Sequence, residues 1–561
     1  MDQTWKIKSV DNLKADKLSN NLRVDSIISR LLVSRNVFTY SQAEKFFRPK
    51  ITDLHNPYLM KGMESAVSRI ELALKKKDKI LIYGDYDVDG TTSVAMMYSF
   101  LKRFTDNIGY YIPDRYKEGY GVSFDSIDYA QLNEYNLIIT LDCGIRAIRQ
   151  VEYASNKGID FIICDHHQPG VNLPMAISIL NPKQDECKYP FKELSGCGVG
   201  FKLIQAISDK KNIDFNEIAE YMDLLSVSIG ADIVDMDGEN RVFAFFGLRI
   251  INTAPRPGLK ALINNSNNKQ EMSMSDVVFK IAPRINAAGR IDHGSKAVQL
   301  LTEEDIDKAS VISLEIENYN YQRRKLDTKI TEEAIRMIDR NKMSTIVYSS
   351  GWHKGVIGIV ASRLIENAYK PTIVLCEEDG EFTGSARSVK GFDLYSALLE
   401  CEHLLERFGG HKYAAGLTIK KENIDIFITE FEKIVSNRIT SDQLQSEIDV
   451  DLEIDISEIT PKMYRIIKQF EPFGPKNRKP VFVTRGIKDF TDAKLIGSDQ
   501  NHLKLFLISD NKKIPCIGFD MHNEYKQIFN SRSFDICYSI DENTWNNKTS
   551  LQLRLKGVKT I

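Results

Sequence analysis

Between residues 79 and 180, short runs of aliphatic and β-branched residues alternate with longer stretches whose apolar positions recur at helical spacing. The runs at 79–84, 137–141 and 161–164 are short and almost wholly apolar, the pattern of strands buried on both faces. Residues 91–104 and 144–156 between them read as helices, and the alternation predicts βαβ units with a parallel sheet. Residues 1–75 read as short helices interrupted by Pro49 and Pro57, packing on the domain that follows. Helical patterning at 199–206 and 218–229 leads into Ala231-Asp232-Ile233-Val234.

Residues 303–342 contain neither Pro nor Gly and place Ile306, Ala309, Ile312, Ile316, Leu326, Ile330, Ala334 and Met337 at helix spacing among dense charges. The pattern predicts one long helix, or two nearly continuous ones, linking two lobes. Beyond it, 345–348, 372–376 and 417–420 predict strands, with helices over 356–367 and 394–407, so a second α/β domain follows. Glu471-Pro472-Phe473-Gly474-Pro475 is turn chemistry. After it, alternating segments at 481–484, 503–508, 514–519 and 551–555 predict a small antiparallel β-barrel such as an OB-fold. The predicted organisation is a helical segment 1–75, a parallel-sheet domain 76–300, a connecting helix 301–343, an α/β domain 344–440 and a barrel 441–561.

A length of 561 residues exceeds what one hydrophobic core serves. With 42% hydrophobic and 27% charged residues and no apolar run of bilayer length, the chain reads as soluble and globular. Residues 1–10 lack the apolar core of a secretory signal. Eight cysteines without a Cys-x-x-Cys pair indicate neither a zinc ribbon nor a disulfide framework, and a reducing cytoplasm fits. The net charge of -2 is unevenly spread: residues 461–561 hold 18 Lys and Arg against 10 Asp and Glu, a balance of +8 that leaves -10 for the rest. That excess suits a polyanion, although solvated lysines give the same count. Phe482, Phe506 and Phe519 are candidates for stacking on bases, against the commoner fate of barrel aromatics as core.

The chemistry lies at the strand ends. Asp85-Tyr86-Asp87-Val88-Asp89-Gly90, Asp142-Cys143-Gly144 and Asp165-His166-His167 each follow one of the three apolar runs directly. In an open parallel sheet, ligands collect beyond the carboxyl ends of the strands, so these motifs converge in space. Five aspartates and two histidines gathered there repel one another unless a cation neutralises them. Mixed carboxylate and imidazole without thiolate favours Mn²⁺ first, with Mg²⁺ as the alternative. The candidates exceed the needs of one ion and predict two metals about 3.5–4 Å apart, of the kind that activates a water and clamps a phosphoryl group. Asp232 is a fourth acidic candidate, and phosphoester hydrolysis is the expected reaction.

These motifs, taken with Asp232, are similar to the successive motifs of the DHH phosphoesterase superfamily. Arg284-Ile285-Asn286-Ala287-Ala288-Gly289-Arg290, the segment 351–363 that opens Gly351-Trp352-His353-Lys354-Gly355, Gly384-Ser385-Ala386-Arg387-Ser388 and Gly409-Gly410-His411 narrow the match. From about Phe47 to the C-terminus the sequence resembles the RecJ family of single-strand-specific DNA exonucleases. The resemblance implies a DHH domain and a DHHA1 domain joined by a long helix, with an OB-fold behind, and a 5′-to-3′ exonuclease that releases mononucleotides during recombination and repair. It implies Asp87, Asp89, Asp142, His166 and Asp232 as ligands of two Mn²⁺ ions, with Asp142 bridging. Asp85 is either a further ligand or a turn residue capping nearby amides.

As a ligand, His166 needs its other ring nitrogen held, and Asp165 is the acid suited to support it; by the same resemblance, His167 contacts the scissile phosphate, and Arg290, Ser385 and Arg387 grip the terminal 5′-phosphate. Arg284, His353 and His411 are expected as neighbours in the cleft. The implied partners are single-stranded DNA, a single-strand DNA-binding protein and a RecQ-type helicase, with no membrane and a monomeric chain. Two rival readings are a hydrolase of small phosphate substrates, such as short oligonucleotides, cyclic dinucleotides or pyrophosphate, and a non-catalytic DNA-binding scaffold. The intact set of acids counts against the scaffold.

Overall fold

The computed structural model describes residues 3–268, 270–378, 380–509, 512–545 and 548–560. They fall into two compact units. One holds residues 56–232 and 247–446, and the other holds 3–55, 233–246 and the chain from 447 onward. Strand β1 (Thr4–Ile7) belongs to the latter.

In the first unit, β2 (Ile80–Gly84), β3 (Ile108–Tyr111), β4 (Leu137–Leu141), β5 (Asp160–Cys164) and β6 (Ser178–Leu180) form a parallel sheet in the order β3-β2-β4-β5-β6. Every residue of β2 and β4 is buried, which is why both read as continuous apolar runs. The chain leaves β2 for β3 on one side and returns to β4 on the other, so the order reverses between β2 and β4. The carboxyl ends of those two strands form the crevice in which sheets of this type bind ligands. Asp85 follows β2, Asp142 follows β4 and Asp165 follows β5.

Helix Ile306–Arg336 is a single element of 31 residues, and its N-cap Asp305 accepts from the amides of Asp307 and Lys308. It packs against helices Pro257–Asn265, Ala282–Ile291 and Lys354–Asn367. Strands β7 (Thr345–Ser349), β8 (Thr372–Glu378), β9 (Glu381–Arg387), β10 (Leu405–His411) and β11 (Ala414–Lys420) make a mixed sheet in the order β10-β11-β9-β8-β7, in which β7 and β8 are parallel. The helix expected over 394–407 ends at Glu400, and Leu405 onward is strand. Gly409 and Gly410 weaken a helix, and pairing with β11 lets Leu405 and Phe408 pack on the core. The sequence reading also passed over β9. There Gly384 leaves room for Leu375 and Leu417, whose side chains would lie 2.4 and 3.0 Å from an added Cβ.

In the second unit, β12 (Glu447–Val450) pairs in parallel with β1, and β13 (Leu452–Glu453) with β14 (Phe482–Ile487). Strands β14, β15 (Phe490–Ile496), β16 (His502–Ser509), β17 (Lys512–Gly518), β18 (Phe534–Trp545) and β19 (Lys548–Thr560) follow the order β14-β18-β19-β17-β16-β15. Only Lys488 and Asp489 separate β14 from β15, so the two are halves of one bent strand and the sheet closes into an OB-type barrel.

Helices Asn12–Leu22 and Ser26–Val33 bury Leu18, Ile28, Leu31 and Leu32 in one core with Leu452, Phe470, Phe482 and Tyr538. The expectation that residues 1–75 pack on the parallel-sheet domain is therefore corrected. Residues 3–55 go with the barrel, and helix Met63–Lys76 packs on β6. Amphipathic spacing shows that a face is buried, not what covers it. Phe482 is likewise core, Phe506 is half-buried, and Phe519 is exposed with the Arg554 guanidinium 5.0 Å over its ring. All eight cysteines are buried and unpaired. No helix among the described residues is long and apolar enough to cross a membrane.

Candidate active site

The turn after β2 runs straight into helix Val88–Lys102. Asp87 is the N-cap, its carboxylate accepting from the Gly90 amide at 3.0 Å. Gly90 is held against the Asp85 backbone, where a Cβ would meet the Asp85 carbonyl oxygen at 2.3 Å. One residue into the helix, Asp89 is buried and accepts from the amides of Gly196 and Cys197 at 2.7 and 2.8 Å and from the Ser228 hydroxyl at 2.7 Å. The N-terminus of helix Gly196–Lys211 thus holds this carboxylate with amides that no helix carbonyl can reach.

After β4, Asp142 turns into the left-handed region at φ 60° and points its carboxylate into the crevice. The Nε2 atom of His166 lies 3.1 Å from the Asp142 carboxylate, 3.6 Å from Asp232 and 3.9 Å from Asp89. Asp232 arrives from elsewhere in the sequence as the residue that ends helix Met222–Ala231. Ligand atoms of Asp89, His166 and Asp232 all lie within 4.8 Å of one another, as do those of Asp142, His166 and His167.

Burial and mutual repulsion dominate the electrostatics. Burial, then Asp87, pushes the Asp85 carboxyl well up, and burial, then Asp89 and Asp87, does the same to Asp142. Asp87 is raised by burial and Asp89, and Asp232 is pushed up to about 8 by burial and the neighbouring Asp89 and Asp87. Burial lowers His166, leaving a neutral ring with a lone pair. Both oxygens of Asp85, one oxygen of Asp142 and Nε2 of His166 are buried without a hydrogen-bond donor among the described residues. Buried acceptors facing one another in this way fit a cation, and the donor set of carboxylate oxygen and neutral imidazole suits Mn²⁺ or Mg²⁺.

Asp165 faces away from the ligand cluster. Its carboxylate accepts from the amides of Ile145, His166 and His167 and from Nδ1 of His167, the last at 2.7 Å. Against the pull of burial, the His167 contact and these amides hold it down to about 2. Asp165 therefore orients the ring of His167 rather than that of His166. It raises the His167 pKa against the opposing effect of burial and leaves Nε2 at the mouth of the site.

The expected phosphate-binding residues divide. Arg290 is on helix Ala282–Ile291 and donates to the Gly355 carbonyl at 2.8 Å; burial, then Arg115 and Arg323, lowers it to about 9. Ser385 and Arg387 share one face of β9, with Arg387 donating to the Ser385 hydroxyl at 2.9 Å. Both approach Gly358, where a Cβ would sit 3.1 Å from each. Gly355 and Gly358 lie in the first turns of helix Lys354–Asn367, whose N-cap is His353. Helix N-terminus, hydroxyl and guanidinium groups are thereby brought together. His411 is exposed on β10, in the same cross-strand row as Ala414 and Arg387. Arg284 instead forms a two-point ion pair with Glu317 of the long helix, at 2.5 and 3.2 Å.

Sequence reasoning missed the segment 113–121, which follows β3 at the same sheet edge. Arg115 lies 4.2 Å over the Tyr86 ring with a buried, unpartnered nitrogen, Tyr116 donates to the Arg290 carbonyl, and Tyr120 reaches His167. The signal was available, since the strand-end rule that located the acids applies equally to β3.

Three family models match the chain in succession: the DHH family N-terminal domain over residues 79–229, the DHHA1 domain over 341–437 and the RecJ OB domain over 450–557. The single-stranded-DNA-specific exonuclease RecJ of Bacillus subtilis is 37% identical over 98% of this chain and 70% of its own length. A crystal structure of RecJ from Thermus thermophilus in complex with Mn²⁺ matches the fold with a TM-score of 0.87 at 24% identity, covering all of this chain and 80% of that one. A second structure, exonuclease RecJ bound to manganese, matches 68% of this chain and 96% of its own at 31% identity and a TM-score of 0.61. The ordered acids at the sheet reversal, the second α/β domain and the closed barrel thus agree with whole-length similarity, and the chain belongs to the RecJ family of single-stranded-DNA-specific exonucleases.

Proposed function

We propose that this chain is a metal-dependent exonuclease that shortens single-stranded DNA from its 5′ end, releasing mononucleotides. The observation that carries the reading is the convergence of Asp142, His166, Asp89 and Asp232 at the sheet reversal, with unpartnered acceptors facing one point. Asp87, Asp89, Asp142, His166 and Asp232 would hold two Mn²⁺ ions, with Asp85 as a further candidate acceptor. Bound there, the pair supplies Lewis-acid polarisation of a phosphate and a nucleophile at neutral pH.

Asp165 fixes the His167 ring by accepting from Nδ1, so that the imidazole faces the scissile phosphate and stabilises charge or moves a proton there. Arg290, Arg387, Ser385 and the N-terminus of helix Lys354–Asn367 take the terminal 5′-phosphate, with His353 and His411 alongside. Anchoring that phosphate would make the 5′ end the reacting end and one nucleotide the unit removed. Arg284 has no part in this grip and instead braces its helix on Glu317. The exposed Phe519 and Arg554 of the barrel offer a stacking surface and a cation to the single strand. A monomeric cytoplasmic enzyme working beside a single-strand DNA-binding protein and a RecQ-type helicase completes this reading, supported by family membership.

The test is digestion of end-labelled single strands with free or blocked 5′ ends, beside a duplex control. Release of mononucleotides from the free 5′ end is expected. Equal digestion of blocked strands, or hydrolysis confined to dinucleotides or pyrophosphate, would overturn the assignment.

A further inference from the structure

Tyr120 is surface-exposed, yet its position is built. On one side the Glu118 carboxylate accepts from the Asp114 amide at 2.6 Å, the Ser123 hydroxyl at 2.6 Å and the Tyr111 hydroxyl at 3.1 Å. On the other, the hydroxyl of the fully buried Tyr83 donates to the Gly121 carbonyl at 2.6 Å. Between these anchors Gly119 and Gly121 take φ values of 81° and 85°, which carry the chain through a turn that side-chain-bearing residues resist. Tyr120 alone projects from the turn, and its ring meets His167 edge-on at 5.9 Å and Tyr86 edge-on at 6.4 Å.

The hydroxyl of Tyr120 lies 3.0 Å from Nε2 of His167, while Nδ1 of the same ring is held by Asp165 at 2.7 Å. Each ring nitrogen therefore has a partner, Asp165 at Nδ1 and the Tyr120 hydroxyl at Nε2, and the same hydroxyl lies 3.5 Å from the Asp142 carbonyl. Both ring nitrogens are thereby fixed. The ring plane is set beside His166, 4.5 Å away between centroids, and beside Asp142.

We infer that Tyr120 is a positioning residue for the phosphodiester reaction, holding the His167 ring from Nε2 so that it stands aligned with the scissile phosphate before the strand arrives. The inference rests on the role proposed above for His167. Orientation fixed in advance lowers the reorganisation required in the transition state and so acts on turnover rather than on strand binding. No covalent step passes through the phenol.

The experiment is a double-mutant cycle of Tyr120→Phe and His167→Ala in the full chain with Mn²⁺, reading kcat and KM on a 5′-phosphorylated single strand. Tyr120→Phe removes one oxygen, and a thermal melt shows that the fold is retained. The expected result is a fall in kcat of about five- to tenfold, the size of one hydrogen bond. KM should stay within about twofold, and the effect should vanish in the His167→Ala background. Unchanged kcat in Tyr120→Phe, an undiminished effect when His167 is absent, or a rise confined to KM would each overturn the inference, the last making Tyr120 a strand contact. A silent His167→Ala variant would instead overturn the role of His167, so the two failures are distinguishable.

Discussion

Gly196 and Asp142 are packed so tightly that a Cβ on the glycine would lie 2.5 Å from the Cβ of the acid and 2.8 Å from its carboxylate. The amide of the same glycine donates to Asp89 at 2.7 Å. One backbone position thus sets two candidate ligands, and Gly196→Ala has to displace both. We expect it to weaken Mn²⁺ binding about 10- to 100-fold and to destabilise the protein by about 1–3 kcal/mol. Calorimetric titration and thermal melting check the two effects. A variant that binds Mn²⁺ as the parent does would show that this contact positions nothing.

Ser228 donates to Asp89 and accepts from the Ser195 hydroxyl, both at 2.7 Å, from the helix that ends at Asp232. It therefore couples the placement of two acids. Ser228→Ala leaves Asp89 with its two amide donors, so the fold should lose only about 1 kcal/mol, whereas Mn²⁺ affinity falls about tenfold. Equal loss of both would point to a purely structural serine.

Much of this was legible in the sequence. Uniformly apolar strands ending in acids gave the parallel sheet and the positions of Asp85, Asp142 and Asp165, because burial on both faces and the strand-end rule are local consequences of the chain. The long helix was equally plain from 303–342, which offer nothing to stop it. Other features depend on tertiary partners. Asp232 reaches the cluster because its helix stops there and Ile233 enters the left-handed region at φ 58°, a conformation that no β-branched residue announces. The donors to Asp89 come from residues 196, 197 and 228, more than a hundred positions away. Arg284 and Arg290 look alike in sequence, and only the presence of Glu317 opposite Arg284 separates a brace from a candidate phosphate ligand.

Without metal, burial and the neighbouring Asp89 push the Asp232 carboxyl up to about 8. A carboxyl raised in the folded state contributes stability that is present at low pH and lost as pH rises through the folded value. Between about pH 6.5 and 8.5, above the ordinary range of an unfolded histidine, the EDTA-treated protein should melt at lower temperature as pH rises. Mn²⁺ removes the penalty by replacing the proton. Titrations at about pH 7.5 in buffers of different ionisation enthalpy should therefore show proton release on binding. Enthalpies independent of buffer would place the Asp232 carboxyl elsewhere.

Arg290 and Arg387 are deeply set donors whose positive charge burial disfavours, so an anionic partner should gain strongly from them. Replacing either by Ala is expected to raise KM for a 5′-phosphorylated strand about 10- to 100-fold and to erase the preference over a 5′-hydroxyl strand. Lys should restore little, because it lacks the planar fork. Arg284→Ala, which breaks a brace on Glu317, should act on thermal stability instead. Kinetics on the two strand types separate these outcomes.

The carboxylate and imidazole cluster at the sheet reversal has the proposed role of metal-dependent cleavage of single-stranded DNA. Its most direct test measures strand binding and strand cleavage separately in Asp142→Ala and in the parent protein, each with Mn²⁺ and with EDTA. Binding near that of the parent, with cleavage abolished both by the substitution and by EDTA, is the predicted result. Undiminished cleavage in Asp142→Ala, or in the parent with EDTA, would contradict it.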